Sequence, residues 1–176
     1  MKNLTMLSAK ALIHLIQTKQ VSCVDVMQAY LAQIAKVNPI INAMTQLLPP
    51  EKALEQARIA DKAILQNTSL GKLHGLPITI KDGRKVKGFM CTFGNKSPMN
   101  HIATEDATVV ARLRAAGAIV VSIANIPDFS MSYETDNKLF GSTKNPYDLT
   151  HSSGGSSGGV ASIIAAGRSS IRNRIR

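Results

Sequence analysis

A chain of 176 residues, 44% hydrophobic and 18% charged, can bury one sizeable core, which excludes a disordered polymer. No apolar run approaches the roughly 20 residues of a transmembrane helix, and the N-terminal "MKNLTMLSAKALIHLIQTKQ" interrupts its apolar residues with Lys, His and Gln, unlike a secretory signal. The net charge of +10 raises nucleic acid as a partner, but Arg168, Arg172, Arg174 and Arg176 place four of those units in a terminal tail and only 4% of residues are aromatic, so a cytoplasmic protein that does not bind nucleic acid is expected.

The first third reads as helical. Ser22 and Asp25 have the spacing of a capping pair before "VMQAYLAQIAKV", where Val26, Met27, Tyr30, Leu31, Ile34 and Val37 share one helical face. Asn38-Pro39 is expected to stop that helix. A second helix is predicted from about 50 to 66, with proline at its start and Ala53, Leu54, Ala57, Ala60, Ile64 and Leu65 on its apolar face. "GLPITIK", 75–81, is short and partly β-branched and reads as a buried strand. Residues 106–116 read as a helix closed by Gly117, and "AIVVSIAN" as a second buried strand. This strand, helix, strand order with near-continuous apolar strands predicts α/β architecture and parallel pairing.

Residues 125–150, rich in Asn, Asp, Ser and Pro, read as a long surface or site-forming loop with at most one short helix. "VASIIAAG" then reads as a helix of small residues able to pack closely on a sheet. Cys23 and Cys91 lack CxxC spacing and read as buried free thiols. His14, His74, His101 and His151 have no ligand spacing, so no metal is expected.

The stretch "HSSGGSSGGVASIIAAG" admits three readings. Gly and Ser together make a flexible linker, yet a linker separates two units and this one runs straight into an apolar helix. Backbone N–H groups at a helix start can cradle phosphate, but the GK[ST] ending of a P-loop and GxGxxG are both absent. Glycines also permit backbone geometry that holds serine hydroxyls at a catalytic site, where a neutral lysine can serve as base. Lys81, at the end of an apolar strand, is the candidate base; taken alone, a strand-end lysine facing water is the simpler reading.

"GLPITIKD", followed at long range by "TDNKLFGSTKNPYDLTHSSGGSSGG", closely resembles the amidase signature family, which includes fatty-acid amide hydrolases and the amidase subunit of tRNA-dependent amidotransferases. "LIQTKQVSCVDVMQAYLAQIAKVNPIINA", "EQARIADKAI" and "SIANIPDFSMSYETDN" fit the same family in the same order. The resemblance implies an amidase-signature fold, a mixed sheet covered by helices, of which residues 1–167 form the N-terminal portion and 168–176 a divergent basic tail. It implies a Lys-Ser-Ser amidase mechanism with Lys81 as the catalytic lysine and Ser156 as the bridging serine, preceded by a cis peptide bond. Met131, Ser132 and Ser157 are implied substrate-pocket residues. The substrate would be a small amide, without metal or organic cofactor.

In the family the nucleophilic serine lies roughly two dozen residues beyond the bridging serine, in a stretch of the type GSD-x-GGS-[IV]-R. Counted from Ser156, that position falls past Arg176. The tail "RSSIRNRIR" lacks the glycines, and its Ser170-Ile171-Arg172 echoes the motif at too short a spacing, which fits an internal deletion. The loss of similarity after Gly167 fits a frameshift, the preferred explanation. The chain is therefore expected to be inactive alone and to expose unpaired sheet edges. The alternatives are a non-catalytic fragment that binds an acyl amide, or half of a two-chain amidase whose partner chain carries the missing part.

Overall fold

The computed structural model describes residues 4–68, 71–97 and 101–168. Its helices are α1 (Ala9–Gln17), α2 (Cys23–Ile41), α3 (Pro50–Leu65), α4 (Thr108–Ala115) and α5 (Gly158–Arg168). Its strands are β1 (Met44–Leu47), β2 (Pro77–Lys81), β3 (Met90–Cys91), β4 (His101–Ile102), β5 (Ile119–Ala124), β6 (Lys144–Asn145) and β7 (Asp148–Ser152). The central sheet has the order β1-β5-β2, with β5 antiparallel to β1 and parallel to β2. The expected parallel pairing is present, with α4 as the crossover between β2 and β5. Every residue of β5 is buried, Ser122 included, as its near-continuous apolar run requires in a central strand covered on both faces.

Helices cover both sides of this sheet. On one side Leu12, Ile16, Val26, Met27 and Ile34 of α1 and α2 and the small Ala53, Ala57 and Ala60 of α3 pack with Val121. On the other side Val110 of α4 packs with Ile80, Val120 and Ile123. The alanine face of α3 lets it lie close to α2, and Gly75 marks the tightest approach: a Cβ there would stand 2.2 Å from the Cys23 sulfur.

The start of α2 closes as Ser22 and Asp25 predict. The Asp25 N–H donates to Ser22 Oγ at 2.9 Å and the Ser22 N–H donates to the Asp25 carboxylate at 2.9 Å. Its end differs from expectation, because the helix runs through Pro39 to Ile41. Proline lacks the N–H that would bond the Ala35 carbonyl and crowds that carbonyl, so its cost falls on the last turns of the helix. Asn42 then caps in the left-handed region, and the Asn38 side chain accepts the N–H groups of Ala43 and Met44 at 3.0 and 2.8 Å. Helix α4 begins at Thr108, two residues after its expected start, because Asp106 is used elsewhere: it accepts the Lys87 N–H at 2.7 Å and pairs with Arg114 at 2.9 Å.

Segment 125–150 contains one 3-10 turn, at Asp128–Ser130, and the start of a hairpin, β6–β7, that the sequence pattern does not reveal. The strands are short and polar, without apolar alternation. Cys23 and Cys91 are buried free thiols, as expected. No helix among the described residues is long and apolar enough to cross a membrane.

Candidate active site

Lys81 closes β2 at its C-terminal end. The backbone that follows is tied down by the buried carboxylate of Asp82, which accepts the N–H of Gly83 at 2.6 Å, the N–H of Thr92 at 3.0 Å and the Thr92 hydroxyl. Asp82 in turn donates its own N–H to the Ala124 carbonyl at 3.1 Å, extending the β2–β5 ladder by one bond. The lysine thus sits on a strand end held from both the sheet and the 92–94 turn.

The Lys81 amine donates to Ser156 Oγ at 2.8 Å and to Ser157 Oγ at 3.0 Å. These contacts join residues 75 and 76 positions apart in the chain. The Gly155–Ser156 peptide bond is cis. Burial lowers the Lys81 amine below the usual lysine range, and the positive charge of Arg84 lowers it further. Both penalise the ammonium form, so more of Lys81 is neutral at a given pH than for a lysine in water.

The glycines around the serines pack too closely for a linker. A Cβ on Gly155 would lie 2.7 Å from the Ser132 carbonyl oxygen and 2.8 Å from the Glu134 nitrogen. One on Gly158 would lie 2.4 Å from Thr135 Oγ1, and one on Gly159 would lie 2.5 Å from the Asn125 carbonyl oxygen. Gly158 and Gly159 are buried and already belong to α5. The Gly158 N–H, which a phosphate cradle would direct at its ligand, is donated to Thr135 Oγ1 at 3.0 Å.

A polar network missing from the sequence-based expectation supports the loop. Asn125, Thr135, Asn137 and Thr143 are buried although the composition of this segment suggests surface. Asn137 Nδ2 donates to Asn125 Oδ1 at 2.8 Å and to the Ile126 carbonyl at 2.6 Å. Asn137 Oδ1 accepts the N–H groups of Leu139 and Phe140 at 3.0 and 2.7 Å. Asn125 Nδ2 donates to Thr143 Oγ1 at 3.0 Å, and Thr143 donates to the Asn42 carbonyl at 2.7 Å. Buried amides with their hydrogen bonds met act as a rigid frame. The signal lay in "TDNKLFGST", where Asx-type turn formers crowd a segment with few apolar residues to hold it.

Of the remaining expected pocket residues, Ser132 and Met131 lie beside the serine loop, since the Ser132 backbone abuts Gly155. Both side chains are exposed, Met131 at 85%. Phe93 and Phe129 lie nearby: the Phe129 N–H donates to the Phe93 carbonyl at 2.8 Å and the Phe93 ring lies within 3.1 Å of a Cβ built on Gly83. Both rings are about half exposed.

Comparison with known proteins places this arrangement in context. The human fatty-acid amide hydrolase 2 is 38% identical over 175 residues, 96% of this chain and 33% of that protein. The indoleacetamide hydrolase of Bradyrhizobium diazoefficiens is 42% identical over 156 residues, 89% of this chain and 30% of that protein. A solved structure described as a vestigial protein complex bearing on the origins of an s-triazine catabolic enzyme superposes with a TM-score of 0.86 at 33% identity, covering 92% of this chain and 35% of its own. The chain spans about a third of the length of the curated relatives it matches. The family model for amidases matches residues 25–172, and the chain accordingly belongs to the amidase family.

Proposed function

We propose that this chain carries the proton-relay half of an amidase that hydrolyses the C–N bond of a carboxylic amide. The observation that carries the proposal is the Lys81 Nζ to Ser156 Oγ contact of 2.8 Å. Neutral Lys81 accepts a proton through Ser156 from a serine on a segment outside the described residues. That serine attacks the amide carbonyl and forms an acyl-enzyme; the proton passes back through Ser156 to the departing amine, and water then releases the acid. The lowered Lys81 supports this role, since a base must be neutral to accept the proton. Ser157 shares the lysine and, with Met131 and Ser132, faces the acyl or amine portion of the substrate.

A second reading is favoured by the sheet edge: the chain works with a partner polypeptide. Among the described residues β2 is an edge strand, with β5 on one side and no strand of the central sheet on the other. Beside it lies a groove of about 350 Å³, lined by Leu76, Pro77, Ile78, Ile163 and Ile164 among others. Open strand edges and apolar grooves invite pairing.

One experiment tests both readings. The chain is co-expressed with the C-terminal two-thirds of a related amidase, and amide hydrolysis is assayed with aliphatic and aromatic amides. Activity from the pair, absent from either piece and abolished by Lys81→Ala, is the expected result. Turnover that survives Lys81→Ala overturns the relay. Turnover by the chain alone, lost with Lys81→Ala, overturns the need for a partner.

A further inference from the structure

Ser156 and Ser157 can serve Lys81 only if the short segment that bears them holds one position. We propose that Thr135 is the positioning residue of this loop: its hydroxyl ties together the two ends of segment 154–158 and so holds both serines against the Lys81 amine. The inference rests on the relay reading above.

A threonine hydroxyl has one donor and two acceptor positions. Thr135 Oγ1 donates to the Gly154 carbonyl at 2.8 Å and accepts the Gly158 N–H at 3.0 Å. Between those contacts lie only residues 155–157, which include both serines. Thr135 is 2% exposed, so water cannot readily take over either bond. The approach is also specific on the other side, because only a residue without Cβ can stand at 158 against this hydroxyl.

The clamp is itself anchored. The Thr135 carbonyl accepts the Thr143 N–H at 2.8 Å, and Thr143 reaches the end of α2 through Asn42 and the end of β5 through Asn125. The same two elements frame the sheet that carries Lys81. Lysine and serines are therefore referred to one scaffold through Thr135, although no covalent path shorter than 75 residues joins Lys81 to Ser156.

The test uses the full chain with 13C-labelled lysine, following the Lys81 side chain by NMR as pH is raised, and needs no turnover. Thr135→Val keeps the shape and deletes the hydroxyl; Thr135→Ser keeps the hydroxyl and deletes a methyl. With Thr135→Val the loop moves off the amine, and the Lys81 ionisation constant moves by at least about threefold, half a pH unit, because the two hydroxyls that accept from the amine and the cover the loop gives it are both lost. Thr135→Ser titrates as the parent does. A folded Thr135→Val chain with an unmoved Lys81, or a Thr135→Ser chain that shifts as far as Thr135→Val, overturns the proposal. If Thr135→Val does not fold, Thr135→Cys, with a weakly bonding thiol, is read in the same way. Failure of the amidase reading is separate: it shows as turnover surviving Lys81→Ala in the complemented enzyme and leaves this titration untouched.

Discussion

The carboxylate of Asp61, on α3, accepts the backbone N–H of Cys23 at 2.6 Å and that of Val24 at 3.1 Å, the first two amides of α2. With Ser22 taking the next amide at 2.9 Å, the opening donors of the longest helix are all met. One of the two helices therefore caps the other across the alanine-lined contact between them.

Asp61→Ala leaves two amides at the start of α2 without this acceptor, in a part-buried position. The expected loss is about 1–3 kcal/mol in stability. Denaturant unfolding followed by circular dichroism measures it, and Asp61→Asn, which keeps one acceptor oxygen, should fall between the two.

The same neighbourhood governs the thiols. Burial, with a hydrogen bond and the charge of Asp61 adding to it, pushes the Cys23 thiol up to about 12. Burial likewise raises Cys91, reinforced by the Asp82 charge. A thiol must ionise and be reached in order to react. Neither of the two cysteines should react with a disulfide reagent in the native chain at pH 8, and both should react in denaturant.

Two glycines of the serine loop separate packing from flexibility. Gly159→Ala drives a Cβ to within 2.5 Å of the Asn125 carbonyl oxygen and 2.6 Å of that of Ala43, backbone atoms that cannot swing aside. The expected cost is about 1–3 kcal/mol. Gly154 has φ +75° and nothing within 4 Å, so Gly154→Asn, which tolerates the left-handed region, should cost well under about 1 kcal/mol. Equal and negligible losses at both positions would mean the loop is a linker after all.

Arg84 offers a handle on the base. Its charge is the second cause of the lowered Lys81, after burial. Arg84→Gln removes that cause, so the Lys81 titration moves to higher pH, and in a complemented enzyme the rising limb of the pH–rate profile moves with it. The stability effect has a definite sign. Between its lowered native value and the ordinary lysine value near 10.4, Lys81 binds more protons in the unfolded chain, so its contribution becomes more favourable as pH rises through that interval. Lys81→Met removes this penalty together with the bonds to Ser156 and Ser157, so its stability relative to the parent should be most favourable below that interval and should fall as pH rises through it. Thermal melts across that pH range check it.

What the sequence by itself determined is local. The helical faces of α2 and α3, the Ser22–Asp25 cap, and the apolar runs of β2 and β5 follow from periodicity and neighbours within a few residues, and the parallel pairing of those strands from the strand, helix, strand order. Family resemblance rather than spacing singled out Lys81 and Ser156. Tertiary structure decided the rest. Pro39 stays helical because Asn38 and Asn42 manage the chain beyond it, which no rule about the residue before proline contains. Thr135, Asn125, Asn137 and Thr143 look like surface loop in composition, yet each is buried with its hydrogen bonds met, several by residues far along the chain. Polar residues carry no periodicity that announces burial, since their partners are chosen by the packing of whole elements. The same packing explains Gly155 and Gly159: their absent side chains are set by backbones that only the folded chain brings within 3 Å.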